Sequence, residues 1–435
     1  MDGKTELTAA KQKATLRKLG MTQFLGILVY ELSERAVPIL IFEITSDNML
    51  RSSAILANIS SFSNALSFLL NPVLGRISDS YGRKPILMMY PALKALSSVL
   101  LVLFPSIPTL FFNSGVRLFF DLTITTTSAV ISDVVKGDGR SIANGNLNSW
   151  RGVSQFGSSF LAGVLTTRSP KLALTATVGA ALAYGASIMA LLPETCKDFK
   201  PFVSSWGACN PFSFLHLFNP THEYNATSKC AVMKMALVQG ICGCNWMPSL
   251  DQLQIYAKTH LSWSPNTFSA FFQMYGIGNL LSNSLVGFFL RVLGKRGNTH
   301  AALWGNAITW TGTGLAWLAG ARGGTALIFA VTPICFLLIS DAAMATSLSQ
   351  HADNASIGQG RLFGDISNLK ALMRVLSPYS YSLAYNIGQR INQPGLPFFL
   401  TGGYWLLASA IFATVSQDDI DATPPSPLAA ATKTL

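Results

Sequence analysis

Charge is scarce in this sequence. Asp, Glu, Lys and Arg supply 12% of its 435 residues, where soluble domains carry about 25%, so a string of water-facing globular domains is excluded. Cysteine is scarce too. The six present include no CxxC pair, and Cys242 and Cys244, two apart on a predicted helix, point in different directions. Neither a disulfide framework nor a thiolate metal site follows. His216, His222, His260, His300 and His351 are dispersed, HExxH is absent, and no metal is expected. GxxxxGK[ST] is missing, and Gly276-Ile277-Gly278 and Gly312-Thr313-Gly314 follow no strand of a βαβ unit. An ATP-driven pump and a nucleotide cofactor therefore drop out. No catalytic constellation stands out, so no enzyme is expected. The ten-residue alternation of an outer-membrane barrel is absent, as is a short apolar run ending in a small-residue cleavage site, so no cleaved leader is expected.

What is abundant is apolar chain. Half of the residues are hydrophobic and the mean hydropathy is +0.38. A helical crossing needs about 20 mainly apolar residues. Twelve such segments can be placed, at 22–44, 52–73, 85–104, 109–132, 147–167, 171–192, 231–251, 266–290, 299–319, 324–345, 362–385 and 396–415. They divide the chain into a tail at 1–21, a six-helix bundle at 22–192, a linker at 193–230, a second bundle at 231–415 and a tail at 416–435. Within the linker, Phe212, Phe214, Leu215, Leu217 and Phe218 suit a short helix lying on the membrane surface.

The formal net charge of +11 is spread over short loops, and its densest group is Lys4, Lys11, Lys13, Arg17 and Lys18 ahead of the first segment. That distribution reads as topogenic, with both termini cytoplasmic, and no nucleic-acid partner is expected. A multi-pass protein in the lipid bilayer, monomeric, is the expectation.

Residues 75–87 read GRISDSYGRKPIL and interrupt two apolar stretches; residues 287–296, GFFLRVLGKR, repeat the spacing. Gly287, Gly294, Lys295 and Arg296 stand at the offsets of Gly75, Gly82, Arg83 and Lys84, with Arg291 in place of Asp79. The fourth segment ends Ile131-Ser132-Asp133 and the tenth Ile339-Ser340-Asp341. Matched markers at corresponding places argue for a duplicated six-helix unit.

The pattern G-x-x-x-D-x-x-G-R-K between the second and third segments resembles the signature loop of the major facilitator superfamily, matched at Gly75, Asp79, Gly82, Arg83 and Lys84. Residues 358–385 are similar to the eleventh-helix region of tetracycline/proton antiporters and their eukaryotic relatives. The resemblance implies an all-α membrane protein, twelve transmembrane helices in two six-helix bundles, working by alternating access. In the Gly75–Lys84 loop two glycines allow a tight turn, Asp79 at a helix end can pair with a basic side chain, and Arg83 and Lys84 suit the anionic inner leaflet. A conformational latch is therefore expected there, merely topogenic charge being the other reading.

Ionisable groups inside a span cost roughly 3 kcal/mol on insertion scales and default to functional candidates. The first span holds Glu31, Glu34 and Arg35, and the fourth holds Arg117 and Asp121, with Glu31/Arg35 and Arg117/Asp121 each at i, i+4 spacing. Arg117 resembles the arginine of the family's fourth-helix motif, although Asp121 stands where that motif has glycine. A carboxylate held against an arginine stays charged and binds a proton more readily once the arginine moves away. Glu31, Glu34, Arg117 and Asp121 are therefore the proton-coupling candidates, a static charge network being the other reading. Candidates for substrate binding are Arg35, Gln239, Asn245, Asn279, Lys370 and Arg374. Arg374, if it faces the cavity unsatisfied, favours an anionic solute. Gly152, Gly157, Gly163, Gly276, Gly278 and Ser282 read as packing faces between the halves. The expected function is proton-coupled antiport or other secondary active transport of a small-molecule solute. An uncoupled facilitator and a non-transporting sensor or scaffold of the same fold are the alternatives.

Overall fold

The computed structural model describes residues 2–46, 48–134, 139–195, 210–218, 226–336, 343–344, 346–348, 350–351 and 359–421, and among them the regular structure is entirely helical. The first half comprises α1 (Asp2–Ile44), α2 (Met49–Tyr81), α3 (Arg83–Leu103), α4 (Ile107–Val134), α5 (Gly139–Arg168) and α6 (Pro170–Leu191). The second comprises α7 (Ala226–Gly243), α8 (Trp246–His260), α9 (Pro265–Leu315), α10 (Gly320–Phe336), α11 (Gln359–Arg390) and α12 (Leu396–Ala413), followed by the short α13 (Gln417–Asp421).

Helices this long arise because the segments are apolar and bond their backbone internally, as lipid requires. Their ends are set by particular residues. Asn48 caps α2 by accepting from the Arg51 amide at 3.0 Å, and Ser264 caps α9 through the Thr267 amide at 3.2 Å, with Pro265 at the first helical position. The repeated glycine has a conformational cause. Gly82 has φ +100° and Gly294 φ +66°, left-handed values that side chains resist. One residue thus ends a crossing and starts the next, and α9 contains two crossings bent at Gly294. The seventh crossing is also discontinuous, with α7 giving way to α8 at Cys244 and Asn245. The residues 1–21 expected as a tail are helical from Asp2 onward. Gln12 donates to the Val134 carbonyl at 3.0 Å, and Leu19 is fully buried.

The α2–α3 turn is clamped from within its own half. Beyond Gly82, the α3 amides of Arg83 and Lys84 donate to the two Glu194 carboxylate oxygens, each at 3.0 Å. Lys84 Nζ donates to the Met189 carbonyl at 2.8 Å, and Arg83 donates to Ser78 Oγ at 3.0 Å. Glu194 is an N-cap supplied from the end of α6, a negative charge at a positive helix terminus. Replacing it with alanine should cost about 0.5–2 kcal/mol, read as a fall of about 0.5–2 °C in apparent melting temperature. Glu194→Gln, which keeps one acceptor, should fall between; an unchanged melting point in both would refute the clamp.

Hydropathy alone satisfies the length requirement for a crossing in five stretches among the described residues: Met49–Asn71, Arg83–Leu103, Pro170–Leu191, Gly287–Cys335 and Leu396–Ala413. These hold most of α2, the second arm of α9 with α10, and all of α3, α6 and α12. Leu96, Leu103, Leu182, Met189, Trp304, Leu406 and Leu407 stand exposed on them, as a lipid-facing surface allows. By contrast α1, α4, α5 and α11 fall short because charged and uncharged polar residues interrupt their apolar sequence.

The short helix expected on the membrane surface is a 3-10 turn, Ser213–Leu217, and it docks on protein. Phe214 and Leu217 are buried in the core of the second half beside Phe68 of α2, while Phe212 and Leu215 are exposed. Ser213 Oγ donates to Asp365 on α11.

Candidate functional site

Where the two halves meet, a cavity of about 480 Å³ opens at mid-depth. Helical repeat brings its walls together. From α1 come Ile27, Tyr30 and Glu31; from α2 Asn64, Ser67 and Asn71; from α4 Arg117, Phe120, Asp121, Ile124 and Thr125. Arg151, Gly152 and Gln155 project from α5, Asn279 from α9, and Ser367, Ala371 and Arg374 from α11. Spacings of three, four and seven put each set on one helix face.

The acidic groups divide into satisfied and unsatisfied. Glu31 accepts from Arg35 Nε at 3.1 Å and from its terminal nitrogen at 2.6 Å, with Gln155 and Ser159 both at 3.4 Å. Arg35 lies over the Phe272 ring of the other half, its Cζ 3.1 Å from the ring centre. Arg117 reaches Glu34 at 3.8 Å rather than Asp121, and sits 5.9 Å above the Tyr30 ring, itself stacked on Phe120 at 4.1 Å. Asp121 lines the cavity within the fields of Arg117, Arg374 and Glu34. Among the described residues it makes no hydrogen bond or ion pair. Arg374 lines the wall from the other half, its Nε buried without a hydrogen-bond acceptor among the described residues.

Of the residues singled out from sequence, Glu31, Arg117, Asp121, Asn279 and Arg374 therefore share the cavity wall, and Glu34 adjoins it through Arg117. The others sit elsewhere. Arg35 borders a smaller cavity of about 130 Å³ with Phe42, Lys258, Trp263 and Phe268. Gln239 is buried, and Asn245, at the α7–α8 break, accepts from Tyr381 at 2.9 Å. The stem of Lys370 lies against Gly243. Gly82, Arg83 and Lys84 form the clamped turn described above. Gly75 and Asp79 fall in the last turns of α2, where side-chain surroundings are outside the described residues, as is the whole of Ile339-Ser340-Asp341.

Sequence reading overlooked Arg151, Gln155, Asn64, Ser67, Asn71 and Tyr30. A signal existed: Asn64, Ser67 and Asn71 repeat at three and four, and Arg151 and Gln155 at four, polar stripes inside otherwise apolar spans. Asn279 donates to Gln155 Oε1 at 3.3 Å across the halves.

The cavity is closed at the end carrying the α1–α2 turn. Ala36, Leu40, Ile41, Ile55, Leu56 and Ile59 pack there with Ile255 and Tyr385 of the other half in one apolar cluster. Ser53 meets Gln252 at 3.2 Å and Ser382 at 3.4 Å. Thr167 donates to Asn266 at 3.0 Å, and Lys258 lies 3.9 Å from the Phe42 ring centre. The glycine faces meet nearer the cavity: a side chain at Gly152 would strike Leu280, and one at Gly276 would strike the Phe156 backbone, whereas Gly157 faces open space. Toward the α2–α3 end the walls diverge. Thr125 and Ser367, one to two turns beyond Asp121 and Arg374, are exposed.

Residues 23–378 match the family described as Major Facilitator Superfamily. Among characterised proteins, the chain is 25% identical over 338 residues to Hippocampus abundant transcript-like protein 1 of Bos taurus, covering 74% of this chain and 62% of the relative's own length. It is 24% identical over 332 residues to the class C tetracycline resistance protein of Escherichia coli, 74% of this chain and 77% of that one. Among solved structures, the human organic anion transporter MFSD10 (TETRAN) superposes with a TM-score of 0.64 at 16% identity, covering 92% of this chain and 99% of that chain. The nucleoside transporter NupG superposes at 0.63 and 12% identity, covering 92% and 98%. At such identities the superpositions establish the fold.

Proposed function

The chain belongs to the major facilitator superfamily, and from that premise we propose that it moves a small organic solute across a membrane by alternating access, driven by protons. One observation carries the proposal: a polar cavity between two six-helix halves, sealed at one end by a cluster that spans both and open at the other. Transporters of repeated architecture bind near the bilayer midplane at the repeat interface. With both termini cytoplasmic, the open end faces the cytoplasm. The names of the relatives above include a tetracycline resistance protein and an organic anion transporter, and both support solute transport as the class of function.

In this reading Asp121 is the proton carrier. It is the acid on the wall that no arginine holds, whereas Glu31 and Glu34 are engaged by Arg35 and Arg117. Arg374 and Asn279 contact the solute. Arg35, Gln239, Asn245 and Lys370 shape the helices behind it, and the Gly75–Lys84 loop, with Asp79, is the latch between conformations. The uncoupled facilitator differs only at Asp121. In a coupled carrier Asp121→Asn spares exchange and stops uphill transport; in a facilitator both change together.

Alternating access is testable without knowing the solute. In a cysteine-free background, Thr125→Cys should react with an impermeant maleimide from either face of the membrane, since each conformation exposes it to one side. Adding Ser53→Cys and Ser382→Cys, whose hydroxyl oxygens stand 3.4 Å apart, allows a disulfide across the sealed end. Oxidation should then abolish labelling from that side and preserve it from the other. Labelling from one face only, with or without the crosslink, would be the behaviour of a static sensor or scaffold and would sink the transport reading.

A further inference from the structure

We infer that the solute is an organic anion held by Arg374, and that it binds together with a proton on Asp121. The inference deepens the transport reading above and rests on it.

The first support is sign. Arg117, Arg151 and Arg374 reach the cavity wall, against Glu31 and Asp121. Including Arg35 and Glu34, the partners of that set, basic groups exceed acidic ones by one even with Asp121 ionised. A cation approaching Asp121 would meet Arg117 one turn away on the same helix and Arg374 across the cavity, and like charges repel strongly in a low-dielectric space.

Arg374 supplies the second. It projects from the second half with a buried Nε that has no acceptor among the described residues. Its carbonyl is engaged by Asn64 at 3.2 Å, so the backbone beside it is anchored while part of the guanidinium remains unsatisfied. A half-buried guanidinium on a cavity wall calls for an anion, and its planar fork suits carboxylate, sulfonate or phosphonate oxygens. Ile27, Tyr30, Phe120, Ile124 and Ala371 provide apolar wall for the body of such a solute.

Asp121 supplies the third. It comes from the first half and faces the same space without a hydrogen bond or ion pair among the described residues. Ionised, it competes for the field of Arg374 and repels an anion; protonated, it does neither. The cavity it lines also holds Tyr30 and Glu31 of α1, Arg117 of its own helix, Arg151 of α5 and Arg374 of α11. Glu34 of α1 acts on it from behind the wall, with Tyr90 and Lys94 of α3 beside Glu34 and Arg117. The facing residues of α2 are the neutral Asn64, Ser67 and Asn71. Asp121 is the acid in this set without an arginine partner, so it is where a proton alters anion binding most. By reciprocity an anion raises proton affinity as much as a proton raises anion affinity. A monoanion and one proton then cross together with no net charge moved.

The test uses three probes of one shape whose charges do not change with pH: benzenesulfonate, benzenesulfonamide and trimethylphenylammonium. Thermal protection of the purified full chain is measured against each at millimolar concentration, at pH 5.5 and 7.5. Benzenesulfonate alone should protect, with half-maximal protection at about five-fold or more lower concentration at pH 5.5. Arg374→Gln should raise that concentration about ten-fold or more, and Arg374→Lys less. Asp121→Asn should bind at pH 7.5 as the unaltered chain does at pH 5.5, with the pH dependence gone. Protection by the cation or the amide, or by none of the three, overturns the anion assignment, and these arms need no variant to fold. Sulfonate protection that ignores pH, or a pH dependence surviving in Asp121→Asn, overturns the coupling. Sulfonate binding with Thr125→Cys labelled from one face only would mean an anion site that does not transport. Two-faced labelling with no anion preference would leave transport standing and remove this inference.

Discussion

Arg35→Ala is expected to cost about 3–5 kcal/mol, the loss typical when one partner of a buried ion pair is removed. Glu31 is 3% exposed, and without Arg35 its carboxylate keeps only the 3.4 Å contacts from Gln155 and Ser159. The loss has a second component, because the guanidinium lies 3.1 Å from the Phe272 ring centre and ties the first half to the second. A stacked, desolvated cation of this kind is worth about 0.5–2 kcal/mol. Paired with Glu31→Gln, the double variant should recover much of the loss, since no unbalanced charge remains. Unfolding of the four proteins of this cycle, followed by intrinsic fluorescence in detergent, gives the coupling directly. Strict additivity of the single losses would show that the pair contributes nothing.

Gly276→Val is expected to prevent the α1–α2 end from sealing. A Cβ at Gly276 would lie 2.8 Å from the backbone nitrogen of Phe156 and 3.1 Å from its Cα, and backbone cannot yield as a side chain can. Helices α5 and α9 must then separate. Overpacking commonly costs about 1–3 kcal/mol, but the larger effect falls on the conformational equilibrium. The Ser53→Cys/Ser382→Cys crosslink should fail to form in the Gly276→Val background, while Gly157→Val, where the added group faces open space, should leave it intact. Equal crosslinking in both backgrounds would refute the role of this seam. The contrast matters because all these glycines look alike as small residues in apolar helices.

How far the sequence could be read follows from the range of the forces involved. The long apolar spans were legible because each must bond its own backbone in lipid, whatever its neighbours do. The Gly82/Gly294 repeat was legible for a similar reason: a left-handed backbone at a tight helix junction is a local demand. The Glu31–Arg35 pair, one turn apart on one helix, formed as its spacing suggested. Arg117 and Asp121 have the same spacing, yet Arg117 turned to Glu34 on α1. A partner on another helix took the place of the local one, because i, i+4 spacing puts two side chains within reach without fixing which partner is taken.

Chain composition and local pattern by themselves determined that this is a helical membrane protein, and placed its glycine turns and most of its crossings. Tertiary structure decided which polar groups share a cavity: it brought Asp121 and Arg374 into one space from opposite halves, added the overlooked Arg151 and Asn64, and placed Gln239 and Lys370 outside the wall. It also drew the 3-10 turn of the linker onto Phe68 and Asp365 instead of leaving it on the lipid. The physical reason is one of reach. Backbone satisfaction and hydrophobic periodicity act within a helix, whereas a charge can be paired by a side chain on another helix, far along the chain.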